Sequence, residues 1–134
     1  MGFMMLIVTT PPAVVAEDLL RLRTALDGTV PGKEDSNLLV ATWNVRAFGD
    51  LTKEWKAGPK DSPKRDFHAM ACIAEIVSRF DILALQEVRR NTTALQYLLG
   101  LLGLLGPSWR WPRPHLLRVS AWSADRTQER SAGW

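Results

Sequence analysis

Apolar residues recur at helical spacing in three places along the chain, and two short, dense apolar runs lie among them. Val15, Leu19, Leu22 and Leu26 are three or four residues apart between Ala13 and Asp27, with Glu17, Arg21 and Arg23 left for water and Gly28 as a stop. A second stripe, Phe67, Met70, Ala71, Ala74, Val77 and Phe80, follows Ser62-Pro63-Lys64-Arg65-Asp66. Pro63 suits the first turn of that helix, where a missing N–H costs nothing. The third helix is predicted from Ala94 to about Leu105, with Asn91-Thr92-Thr93 as capping side chains. Its LLGLLGLLG repeat weakens it by roughly 1 kcal/mol per glycine.

The dense runs, Leu38 to Trp43 and Asp81 to Leu85, predict strands buried on both faces. Strand, crossover helix and strand together imply a parallel pair, since parallel neighbours need a connection of about a dozen residues or more. The fold class is therefore α/β. Both strands then end at one edge of the sheet, and Asn44 and Glu87 come to lie side by side there. Open α/β sheets place ligands at that edge. Asp27 to Asn37 is a polar linker, so residues 1–37 form an N-terminal extension with one helix, and Gly49 to Pro63 is a loop.

Composition changes this picture little. At 134 residues, 46% hydrophobic and 23% charged, the chain is at most one ordinary globular domain. Its net charge of +3 does not by itself point to nucleic acid, because residues 1–106 carry 12 Lys and Arg against 12 Asp and Glu. The excess lies in residues 107–134, with five against two. The single cysteine, Cys72, excludes an internal disulfide and any multi-cysteine metal site, and its place on an apolar stripe makes it a packing residue. No Lys or Arg precedes Arg21, so a secretory signal is not indicated. The run from Leu98 to Leu105 is far short of the roughly 20 residues of a membrane span. A cytoplasmic protein with no membrane partner is the expectation.

The chemistry lies at the shared edge. Asn44 and Glu87 offer hard oxygen donors, and Arg46 and Arg89 each follow two residues later. Oxygen ligation suits Mg²⁺ or Ca²⁺, with Mn²⁺ a further candidate, and Mg²⁺ usually takes only one or two carboxylates. The arginines suit phosphate oxygens bidentately. Together these groups fit metal-assisted phosphate ester hydrolysis. On spacing alone, a polar strand end with solvated charges is the simpler account.

The residue strings shift that balance. ATWNVRAFGDL followed by IAEIVSRFDILALQEVRR resembles the endonuclease/exonuclease/phosphatase family, in particular its deoxyribonuclease I-like branch. The first family motif is an apolar strand ending in Asn-Ile/Val-Arg-x-Phe-Gly; the second is Asp-Ile, three apolar residues, then Gln-Glu-Val-Arg. Both occur here in order, within residues 38–109. The resemblance implies the N-terminal strand-helix-strand portion of a two-sheet α/β sandwich that cleaves phosphoesters with a divalent metal. It implies Glu87 as the metal-ligating glutamate, and Asn44 as a catalytic residue at the scissile phosphate or metal-bound water. Arg46 and Arg89 become substrate-binding positions on a nucleic acid, DNA first. A phosphatase or lipid phosphodiesterase on the same scaffold is the alternative.

In the family, an Asp-x-Asn pair and a Ser-Asp-His set follow the second motif and carry general acid/base work; neither follows it here. Asp125 has no Asn two residues on, and neither His68 nor His115 is in a catalytic setting. Pro112 and Pro114 obstruct a strand where the family continues one, and four of the six tryptophans lie from Trp109 onward. Residues 110–134 are thus expected to be an irregular basic tail, with a shift of reading frame after about Trp109 as its explanation. The chain alone is expected to be an incomplete and inert form of the parent enzyme.

Overall fold

The computed structural model describes residues 10–63 and 65–105. Its elements, in chain order, are α1 (Ala13–Thr29), β1 (Val40–Phe48), α2 (Phe67–Val77), β2 (Ile82–Val88) and α3 (Thr93–Leu105). β1 and β2 pair in parallel, with Val40 opposite Ile82 and Trp43 opposite Leu85. α2 is the crossover between them, and the class is α/β as the sequence implies. The tail after residue 109 and His115 lie outside the described residues.

Three expectations need correction. The strands are not buried on both faces, because burial alternates along each of them. Trp43, Val45, Leu83 and Leu85 join the core beneath α2 and α3, while Val40, Thr42, Asn44, Ile82, Ala84 and Gln86 are exposed. Among the described residues nothing covers that second face. A near-continuous apolar run has the same composition whether one face or two is covered, so the pattern could not separate these cases.

The second correction concerns strand length. β1 continues past Trp43 through Asn44 to Phe48, and β2 past Leu85 through Glu87 to Val88, so the two site residues belong to the strands rather than follow them. Thirdly, Pro63 lies ahead of α2. The helix is capped by Asp66, whose Oδ1 accepts from Ala69 N at 2.8 Å while Oδ2 accepts from Ala57 N at 2.8 Å. An aspartate at the N-cap satisfies an otherwise orphaned N–H and also ties down the preceding loop.

The core joins the sheet to α2 and α3 through Phe48, Phe67, Met70, Val77, Ala94 and Leu98. Ile73 rather than Ala71 is the buried member of the α2 stripe. Phe67 stacks on Tyr97 of α3 at 5.3 Å between ring centroids. In α3, Asn91 Oδ1 accepts from Thr93 N at 3.0 Å, so the polar triplet ahead of it does supply a cap-like bond.

α1 packs on α2, with Val15 and Leu26 buried. Arg23 stays exposed, as expected, and also pairs with Glu75, the one charged residue buried among those described. Arg79 pairs with Asp27, and His68 Nε2 lies 3.2 Å from Asp18 Oδ2. His68 is therefore engaged with α1, on the helical layer. Burial and the surrounding carboxylates Asp18, Asp66 and Glu75 push the Cys72 thiol up, which disfavours a thiolate nucleophile.

Candidate active site

The regular ladder between β1 and β2 ends at Asn44 and Gln86 and resumes only at Phe48 and Val88. Three residues of β1, Val45 to Ala47, thus stand opposite the single Glu87. Two of the three are in the left-handed region, Arg46 at φ 34° and Ala47 at φ 50°, and so is Glu87 at φ 61°. None is glycine. Left-handed backbone in ordinary residues costs on the order of 1–3 kcal/mol and tends to gather where a fold holds functional groups in place. A bulge of this kind re-aims a side chain.

Glu87 is the side chain that is re-aimed. Strand alternation would send it to the helix-covered face with Leu83 and Leu85. Instead Gln86 and Glu87 are both exposed, and Val88 returns to the core side. The turn in the backbone brings the Glu87 carboxylate to Asn44, which lies on the open face. Asn44 Nδ2 donates to Glu87 Oε1 at 3.0 Å, and Ala47 N donates to Glu87 Oε2 at 3.0 Å. Asn44 Oδ1 accepts from Arg46 N at 3.0 Å, which fixes the orientation of the amide.

These bonds hold Glu87 below the usual carboxylate range: the Asn44 side chain contributes most, then the Ala47 N–H, with the nearby Arg89 and Arg46 charges adding to them. Desolvation opposes the shift and outweighs either arginine's charge. A depressed carboxyl keeps its charge as pH falls through its ordinary value near 4.5. The Glu87 carboxylate is accordingly expected to stay ionised to a lower pH than that of an ordinary glutamate.

The donor set fits a hard divalent cation. Each Glu87 oxygen accepts one hydrogen bond and keeps a lone pair toward water. Among the described residues no group of three or more His, Cys, Asp or Glu stands together, so the fit is to an ion that takes one carboxylate plus water and substrate oxygens. Asn44 plays a donor's part toward Glu87, and a ligand role for its oxygen rests on the lone pair that Arg46 N leaves. Arg46 and Arg89 are exposed beside the carboxylate, with Arg89 N bonded to Phe48 O at 2.8 Å. All four residues singled out in the sequence meet at one end of the sheet.

Sequence reasoning missed Arg65. Its Nη2 donates to Val45 O and, at 2.9 Å, to Arg46 O, two of the three carbonyls of the bulge. The guanidinium lies over the Phe48 ring, 5.8 Å from the centroid. No local pattern marks a residue that acts 19 positions away. The other unforeseen constraint is Gly49. A Cβ there would sit 2.8 Å from Arg89 Cβ and 3.3 Å from Asn91 O. Gly49→Ala must push the two strand ends apart, and a cost of about 1–3 kcal/mol is expected by urea denaturation. A midpoint equal to that of the unaltered chain would show the crossing to be looser than described.

With two motifs placed on paired strands and a carboxylate held between them, comparison with known families is informative. Residues 41–132 match the Endonuclease/Exonuclease/phosphatase family. The chain belongs to this family. The match covers both motifs and runs on beyond Trp109, the last residue of the sequence resemblance. Comparisons with curated proteins and with solved structures gave no match. Membership of the endonuclease/exonuclease/phosphatase family supports a hydrolase of the phosphodiesterase, nuclease or phosphatase type, a group that generally uses a divalent metal. Among the described residues no helix is long and apolar enough to cross a membrane.

Proposed function

We propose that the end of the β1–β2 pair is a divalent-metal site for phosphodiester hydrolysis, of the deoxyribonuclease I-like kind, with DNA as the favoured substrate. The observation that carries this reading is the Glu87 carboxylate, turned out of its strand by a left-handed backbone and held at 3.0 Å by both Asn44 Nδ2 and Ala47 N. Glu87 is the protein ligand, with Mg²⁺ as the natural ion and Mn²⁺ or Ca²⁺ as substitutes. When bound, the ion polarises a phosphoryl oxygen and stabilises charge on the leaving oxygen.

The chain's own residues orient the reactants. Asn44 spends one amide N–H on Glu87 and has a second for a phosphoryl oxygen. Arg46 and Arg89 offer planar guanidinium groups to phosphates on either side. His68, the one histidine among the described residues, is engaged with Asp18 of α1 on the helical layer. General acid/base catalysis contributes about 10²–10⁴-fold, so turnover that relies on the described residues alone is expected to be slow.

Binding of a short DNA duplex in Ca²⁺, followed by fluorescence anisotropy, tests the reading. EDTA is expected to weaken binding, and Arg46→Ala or Arg89→Ala to reduce the salt dependence by about one released counterion each. Binding indifferent to Ca²⁺ and to both substitutions would overturn the assignment of DNA to this site. A parallel plasmid-nicking assay in Mg²⁺ addresses completeness: nicking that EDTA and Glu87→Gln both remove would contradict the inert state.

A further inference from the structure

Among the described residues, Arg65 is the cation that bonds to the bulge. It precedes the α2 cap, Asp66, and its own carbonyl accepts from Thr52 N at 2.8 Å, so its backbone is fixed to the loop after β1. From there Nη2 bridges the carbonyls of Val45 and Arg46, while Nε is buried without a hydrogen-bond partner among the described residues. A buried, unpartnered guanidinium N–H is unfavourable, and burial accordingly lowers the tendency of Arg65 to stay charged. The group is tolerated there because it binds the carbonyls of Val45 and Arg46, two residues that the paired register between Asn44 and Phe48 skips.

Those carbonyls flank peptide units whose other ends serve the site. The Val45 carbonyl shares its peptide with Arg46 N, the donor to Asn44 Oδ1, and the Arg46 carbonyl shares its peptide with Ala47 N, the donor to Glu87 Oε2. A cation that binds both oxygens fixes the planes of both peptides, and so the direction in which each N–H points. We propose that Arg65 is a positioning residue: it holds the Arg46–Ala47 bulge in its left-handed form and thereby orients Asn44 and Glu87. For its consequence at the metal this rests on the reading of Glu87 given above. The same contact polarises both N–H groups, since hydrogen bonds in a chain strengthen one another.

Amide hydrogen exchange by NMR, on the full chain with Arg65→Met and Arg65→Lys, tests the proposal. In Arg65→Met the amides of Arg46 and Ala47 are expected to exchange at least tenfold faster, while ladder amides of β1 and β2 before the bulge keep their rates. Arg65→Lys, with a cation and donors but no planar fork, is expected to fall between. A general loss of stability would instead speed all protected amides by one factor, and that result, or unchanged exchange at Ala47, overturns the proposal. Mn²⁺ affinity in the same samples is expected to fall about tenfold with Arg65→Met, as losing a group that orients a ligand does. If the unaltered chain binds no Mn²⁺, the metal assignment of Glu87 fails, while the exchange rates still decide the role of Arg65.

Discussion

Glu87→Gln is expected to lower Mn²⁺ affinity by more than about a hundredfold while the fold is retained. Loss of a group that merely orients a ligand costs about 10–100-fold, and removal of the ligating charge exceeds that. The substitution is nearly isosteric, and Glu87 is fully exposed, so packing is untouched. The neutral amide can still accept from Ala47 N through its oxygen, but its NH₂ group then meets Asn44 Nδ2, donor against donor, so Asn44 must reorient. Free Mn²⁺ measured by electron paramagnetic resonance gives the affinity, and amide chemical shifts of the core report the fold. Equal affinity in the two proteins would mean that the ion, if bound at all, sits elsewhere.

Phe48→Ala is expected to be the most destabilising single substitution in the site region, at about 3–5 kcal/mol. Phe48 is fully buried at 0% exposure, the last residue of β1, and lies where the sheet meets the helical layer. Its ring also backs the Arg65 guanidinium, and its carbonyl accepts from Arg89 N at 2.8 Å. A loss of that size is a large part of the 5–15 kcal/mol typical of a domain. The urea midpoint, followed by tryptophan fluorescence, measures it. A change under about 1 kcal/mol would show that the bulge end of the sheet is not part of the cooperative core. The consequence for function is direct: the residue that anchors the bulge in the core is two positions from Arg46 and one from Ala47.

The sequence made the framework legible through period and motif. Dense apolar runs around an amphipathic helix gave β1, α2 and β2 and their parallel pairing, and the strings ending in Asn44-Val45-Arg46 and Gln86-Glu87-Val88-Arg89 placed the site on neighbouring strands. The hydrogen bond between Asn44 and Glu87 makes that neighbourhood concrete. What stayed hidden was of three physical kinds. One-sided burial of the strands depends on what covers the sheet, which an apolar run does not encode. Left-handed conformations at Arg46, Ala47 and Glu87 have no local signal, because the residue types that favour them are absent and surrounding contacts impose them. Arg65 over the bulge and Arg23 on Glu75 are long-range contacts, 19 to 52 residues apart, that no short window can contain.

Paramagnetic broadening by substoichiometric Mn²⁺, recorded on the amide resonances of the full chain, tests the assignment of Glu87 most directly. Selective loss of the signals of residues 44–47 and 86–89, absent in Glu87→Gln and reversed by excess Mg²⁺, is the expected result. Broadening centred on any other carboxylate, or none at all, would contradict a metal site at the end of this sheet.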